Sequence, residues 1–284
     1  METAEVRGSP GWRYATAPVP KRLATGAAIA LHAGLHLRRL ANPRALWPYA
    51  LILVGTVLGS LALVRLSLSE PTALVKYFET IVLRAEALCA LGLATAAIRN
   101  DADAGALGLF LLRPRAPVAL PVGRWLAVGL TVTVAGGLML GGLVLSAAGT
   151  TMQAPGPTLL RMLLAVVLDG FAYAAIFLSL ACWFKSAAAA GLAWFGVADL
   201  VLPPLSDAVA RFSPSHHLQL MVEGVYPPAT DLMEMVKGLG KAPVALPPDP
   251  WNAWLVPVEC LALLLLTALP LGLAMWRMRR QPPA

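Results

Sequence analysis

Charge is scarce in this sequence. Of its 284 residues, 13% are Asp, Glu, Lys or Arg and 58% are hydrophobic, and the mean hydropathy is +0.71. Soluble domains hold about 25% charged residues, so the balance belongs to an integral membrane protein. Cysteine is scarce too. Cys89, Cys182 and Cys260 are the only three; none sits in a CxxC pair or has a histidine at ligand spacing, which argues against a disulfide framework and a Cys/His metal site. All three fall in apolar runs and read as buried small hydrophobes.

Catalytic signatures are missing as well. There is no GxxxxGK[ST] loop, so the chain is not expected to hydrolyse ATP. There is no HExxH, no GxSxG elbow, and no serine–histidine or paired-aspartate arrangement at membrane depth. An intramembrane protease or lipid-modifying enzyme is therefore poorly supported, and no cofactor is expected on this chain. The N-terminus, with Glu2, Glu5 and several prolines before Lys21, lacks the basic-then-apolar layout of a cleaved signal peptide. The net charge of +7 is spread beside hydrophobic runs, as orientation signals are, with no aromatic-interleaved groove for nucleic acid.

What is present is a series of apolar segments near the length of about 20 residues that a spanning helix needs. They are Leu46–Leu66, Tyr77–Ile98, Val122–Ala147, Thr158–Phe184, the short Ser186–Pro204 and Trp251–Trp276. The fold class expected is all-α and membrane-integral, with six transmembrane helices over 46–276. Residues 1–20 read as a flexible tail and 21–45 as an interfacial helix. Residues 99–121 form a polar loop, 205–250 an outer cap with short helices, and 277–284 a second tail.

Orientation follows the basic residues. With both termini inside, the inner side holds Arg7, Arg13, Lys21, Arg22, Arg38, Arg39, Arg44, Arg99, Arg113, Arg115, Arg124, Lys185, Arg277, Arg279 and Arg280; seven of the 22 basic residues remain outside. Both termini and the 99–121 loop are thus expected in the cytoplasm of a bacterial cell, with the spans in its inner membrane.

That loop is the most distinctive stretch. Asp101 and Asp103 suit the start of a short helix, Leu107 to Leu112 its apolar body, and Arg113-Pro114 its stop. A second turn is expected at Pro117 and Pro121. The succession Asp101, Asp103, Gly105-Ala106, Leu107 to Leu112, Arg113-Pro114-Arg115 and Gly123-Arg124 resembles the first cytoplasmic loop of ABC-2-type permeases, the membrane subunits of certain ABC transporters. Asp stands for the usual Glu, Ala106 for Thr and Arg124 for Lys. The run Ser213 to Val225 is similar to the segment before the last span in gliding-type members, so the likeness is to the gliding and Nos-type permeases.

The resemblance implies an elbow helix at 21–45 and a coupling helix held by a cytoplasmic ATPase, with Asp101, Asp103, Gly105, Leu109, Phe110, Arg113 and Arg115 at the contact. It implies two ATPase subunits, which hold the ATP and Mg, and a second permease subunit, identical or not. Export or envelope-directed work would follow. Two other readings stand beside it. A secondary transporter would need an inverted repeat, which the sequence does not display. A membrane scaffold would use 205–250 to hold an extracytoplasmic protein.

Ionisable residues inside spans are costly and face protein or water. Here they are Glu79, Arg84, Glu86, Asp169, Asp199 and Glu259. Arg84, Glu86, Asp199 and Glu259 lie roughly 8 to 12 Å below the outer surface at 1.5 Å per residue. They are expected to form a polar ring in which Arg84 pairs with a carboxylate, either lining a vestibule or bracing the bundle. A proton relay would lack a histidine inside the spans. His32 and His36, four apart, have no third ligand and read as a headgroup-facing strip. His216, His217 and Glu223 are assigned to the outer cap, since adjacent histidines diverge on a helix; no metal site is expected. Gly137 and Gly141 form a small-xxx-small pair in the third span.

Overall fold

The computed structural model describes residues 24–66, 73–107, 116–148, 156–201, 210–223 and 252–280, and among them there is no strand. The helices are α1 (Thr25–Leu40), α2 (Pro43–Leu66), α3 (Ala73–Tyr77), α4 (Leu83–Asp103), α5 (Ala116–Ala147), α6 (Gly156–Trp183), α7 (Ala187–Trp194), α8 (Pro214–Glu223) and α9 (Asn252–Arg280). A π-helical turn, Phe78–Val82, joins α3 to α4, and another, Phe195–Val201, extends α7.

Among the described residues, four helical segments are long and apolar enough to cross a membrane: Leu74–Asp103, Pro117–Ala147, Gly156–Trp183 and Val256–Arg280. Helices suit that role because every backbone N–H and C=O must find its partner within the segment. Leu46–Ala62 and Ala187–Asp199 are apolar but shorter. Of the six expected spans, four therefore have the length and composition of a membrane helix, and this is compatible with a multi-pass membrane protein.

Two local expectations are corrected. Pro117 and Pro121 do not form a turn. Helix α5 starts at Ala116, ahead of both. Pro117 falls in the first turn, where its missing N–H would be unpaired anyway, and Pro121 forgoes a single ladder bond. Nor do Asp101 and Asp103 start a helix. They end α4, which closes in a turn at Ala104-Gly105, where the Ala104 N–H donates to the Asn100 carbonyl at 3.2 Å and Gly105 adopts φ 68°. Glycine takes this left-handed backbone without the Cβ penalty, which is how helices commonly stop.

Helix α6 is the central post, packed against α4, α5 and α9, while α1 and α2 lie along α5. Two apolar cores are strung along it. One gathers Leu40, Ile98, Leu107, Leu120, Phe177, Cys182, Ala274 and Met278. The other gathers Leu74, Phe78, Leu143, Met162, Leu218, Met221 and Leu263. The first lies at the end where basic and aromatic groups collect. Trp183 stacks on Trp276 with centroids 5.7 Å apart, Arg277 sits over Trp183 and Arg280 over Trp276. Arg and Trp at one helix end are the usual anchor at a membrane–water interface. Along α9, Leu261, Leu264, Leu265 and Leu269 remain exposed, an apolar face suited to lipid.

Glycine permits close approach at one joint in particular. A Cβ on Gly123 would lie 2.7 Å from the Ile29 carbonyl oxygen and 2.8 Å from the His32 Cβ, so α1 rests directly on the α5 backbone. Around Gly137 and Gly141 the space is open, and this small-residue pair brings no other described helix close.

Candidate functional site

Among the described residues, most of the buried ionisable side chains fall into three groups along the bundle. At the basic end, Asp101 joins three helices. Its carboxylate accepts from Arg39 Nη1 of α1 at 2.7 Å and from Arg124 Nη2 of α5. Arg124 Nη1 also donates to the Ala97 carbonyl on α4. Asp101 and Arg124 are both buried, whereas the Arg39 side chain is 56% exposed. His36 packs into this cluster with its Nε2 buried and lacking a hydrogen-bond partner. Burial first, then the positive charges of Arg124 and Arg39, lower its pKa from 6.5 to about 4, against an opposing pull from Asp101.

The residues expected to face an ATPase therefore divide. Asp101 is engaged within the chain. Asp103 is exposed and accepts from Arg99 Nη2, one turn earlier on α4, at 2.8 Å. Gly105 is exposed in the turn. Leu109, Phe110, Arg113 and Arg115 lie outside the described residues.

The second group sits midway along the helices, where the two apolar cores meet. Glu86 of α4 and Asp169 of α6 are each 0% exposed. None of their four carboxylate oxygens has a hydrogen-bond partner, and neither has Thr133 Oγ1 of α5. The Glu86 carboxylate occupies the space a Cβ on Gly136 would need. Its Oε1 and Thr133 Oγ1 both converge on Gly170, at 3.0 and 2.8 Å from where a Cβ there would lie. Two glycines and a threonine thus shape the pocket that receives Glu86.

The third group lies toward α8. Asp199, on the π-helical turn after α7, accepts from Tyr173 Oη at 2.8 Å, from Ser215 Oγ at 3.0 Å and from Ser213 Oγ. Arg84 Nη1 donates to the Asp199 main-chain carbonyl at 3.2 Å, and its guanidinium lies over the Phe195 ring, 5.7 Å from the centroid. The expected Arg84–carboxylate pair is replaced by this arrangement, because three hydroxyls already satisfy the carboxylate. Glu259 of α9 meets His217 Nδ1 of α8, and His217 Nε2 donates to the Arg211 carbonyl at 2.7 Å. The single ring expected from helix depth is thus divided among separate partners. His216 stands beside His217 with ring centroids 5.8 Å apart. The side chain of Glu223 and most of 205–250 lie outside the described residues, as do residues 1–20.

Sequence reasoning did not single out Thr133 or Tyr173, and took Ser213 and Ser215 only as part of the run Ser213 to Val225. Hydroxyls are ordinary in apolar helices, and only their meeting with a carboxylate marks these. Among the described residues, no three His, Cys, Asp or Glu side chains are grouped to hold a metal ion. Comparison with protein-family models and with curated proteins found no match for the chain.

Proposed function

We propose that this chain is the membrane subunit of an ABC transporter, of the ABC-2 permease type, working with a separate cytoplasmic ATPase. The observation that supports it most is the fastening of the Ala104-Gly105 turn. Asp101, three residues before that turn, is tied to α1 by Arg39 and to α5 by Arg124. A push on the segment after the turn would move α4 and α5 together, because the buried charge-assisted bond of Asp101 with Arg124 resists separation, and α1 would follow through its close packing on α5 at Gly123. Asp103 and the apolar Leu109 and Phe110 would then face the ATPase, while Asp101 braces the contact from within. Six spans with both termini inside, in a bacterial inner membrane, belong to the same proposal, as does pairing with a second permease. Nucleotide-driven closure of two ATPase subunits would alter the path between the two permease halves.

The direct test is co-purification of the ATPase subunit with Phe110→Ala and Asp103→Lys variants. Loss of association is expected with Phe110→Ala, since an apolar anchor in a protein groove dominates such contacts, and weakening with Asp103→Lys. Undiminished binding by both variants would sink the proposal.

A secondary transporter is the second reading, favoured by one observation, the wholly buried Glu86 and Asp169. Transport in sealed vesicles separates the two. The first reading requires the ATPase and nucleotide; the second requires an ion gradient and no ATPase.

A further inference from the structure

Two acidic side chains from different helices lie within electrostatic reach of each other at the middle of the bundle, with no hydrogen-bond donor to either carboxylate among the described residues. Glu86 and Asp169 are 0% exposed, their four carboxylate oxygens have no hydrogen-bond donor, and the neighbouring Thr133 hydroxyl is also buried and unpartnered. A fixed pair of carboxylate anions in such a place would be expelled or solvated, because nothing compensates for the hydration lost. Structural carboxylates elsewhere in this molecule look different. Asp101 has two guanidinium groups and Asp199 three hydroxyl donors. The pocket for Glu86 is also shaped to receive it, since the absence of side chains at Gly136 and Gly170 opens the space its carboxylate fills.

We propose that Glu86 and Asp169 form a proton-binding site in the membrane core, exchanging with the α8 end of the bundle through Asp199. Asp169 lies close enough to Asp199 and Arg84 to interact with both electrostatically, and to Glu86 on its other side. From Asp199, Tyr173, Ser213 and Ser215 continue the polar route toward α8. Around the pair, among the described residues, helix α6 brings Tyr173, the π-helical turn brings Asp199, and α4 itself brings Arg84 and Cys89, with Tyr49 of α2 beside Cys89. Helix α5 presents Thr133 and Gly136, and Glu259 of α9 is engaged by His217. Arg84 acts on Asp169 only at a distance, its guanidinium being engaged by the Asp199 carbonyl and the Phe195 ring, and among the described residues no ion pair reaches Glu86 or Asp169. A proton taken from water at the α8 end would protonate one carboxyl, and its return would restore the anion. The site does not depend on the ATPase reading, and both kinds of transporter can use it.

The test uses the full chain purified in detergent, without any ATPase, and dicyclohexylcarbodiimide as probe. A protonated carboxyl in an apolar setting adds across this carbodiimide, its proton going to nitrogen and its oxygen to the central carbon, and the O-acylisourea formed rearranges to a stable N-acylurea that peptide mass mapping locates. Labelling is expected at Glu86 or Asp169, with a yield that falls at least tenfold as pH rises from mildly acidic to alkaline. Infrared difference spectra over the same pH range should show a protonated-carboxyl C=O band that is lost in Glu86→Gln and Asp169→Asn. Because the band is followed in the unsubstituted protein, misfolding of a variant cannot hide the answer. Absence of both adduct and band at every pH would overturn the site. A yield independent of pH would also overturn it, showing a permanently protonated structural pair. Protection by sodium at fixed pH would overturn the proton assignment in favour of a metal cation.

Discussion

Arg124 on α5 and Asp101 on α4 are bonded to each other with both side chains withdrawn from solvent, at 4% and 6% residue exposure. Arg39 reaches the same carboxylate from a largely exposed position. The two arginines are therefore unequal. Removing one partner of a buried ion pair strands the other and costs about 3–5 kcal/mol, whereas an exposed pair contributes about 0–1 kcal/mol. Asp101→Ala and Arg124→Ala should each lower the thermal unfolding midpoint of the detergent-solubilised protein strongly, and Arg39→Ala only slightly. Equal effects of Arg39→Ala and Arg124→Ala would contradict this assignment.

His36 predicts a particular response to acid. Its folded-state pKa of about 4 lies below the ordinary 6.5, so the unfolded chain binds this proton more readily than the fold does. The stabilisation is fully present above pH 6.5, declines as the pH falls, and is gone below about 4. At 1.36 kcal/mol per pH unit the whole effect is about 3 kcal/mol. Unfolding measured between these limits should show that decline in the native chain and a flatter profile in His36→Gln. Parallel profiles would count against the burial of His36.

The joint between α1 and α5 can be tested at Gly123. A methyl group there would meet the Ile29 carbonyl, a backbone atom unable to swing aside, so Gly123→Ala should cost about 1–3 kcal/mol by overpacking. Gly137→Ala, on the same helix but facing open space, should be neutral or stabilising by about 0.5–1 kcal/mol, as a glycine removed from a helix interior is. The comparison is made by unfolding the two variants side by side in one detergent.

At the opposite end, His217 and Glu259 join α8 to α9. Single substitutions His217→Ala and Glu259→Ala should each destabilise, and the double variant by less than their sum. A coupling of about 1–3 kcal/mol is expected for two groups in direct contact. Proteolysis at the α8 end is a second readout, since releasing α8 from α9 should speed cleavage there. Strict additivity would show that the contact adds nothing.

The helices were legible because apolar runs announce themselves residue by residue. Val122 to Ala147 and Thr158 to Phe184 contain so few charges that little besides a buried or membrane helix can accommodate them. Their ends were less legible. Pro117 and Pro121 read as a turn, yet a proline near a helix start disrupts little, and the helix runs through both. The aspartates of 101 and 103 read as a helix start, yet Arg124 and Arg39 draw Asp101 into the end of the preceding helix. Helix depth along the chain suggested that Arg84, Glu86, Asp199 and Glu259 share a ring. Depth is only one coordinate, and the direction each side chain takes around its helix separated them.

Composition and hydropathy alone determined that this chain is helical and suited to a membrane, and which ionisable residues lie inside its apolar stretches. Those properties are local, set by the transfer cost of each side chain and by the backbone's need for partners within its own segment. Only the tertiary structure decided that Asp101 meets Arg124, that Asp199 is satisfied by hydroxyls, and that Glu86 and Asp169 are buried near one another without a hydrogen-bond donor. Each residue turns the helix by about 100°, so partners depend on how neighbouring helices are rotated and set against each other. That arrangement arises from the packing of whole helix faces and is not written in any single stretch of sequence.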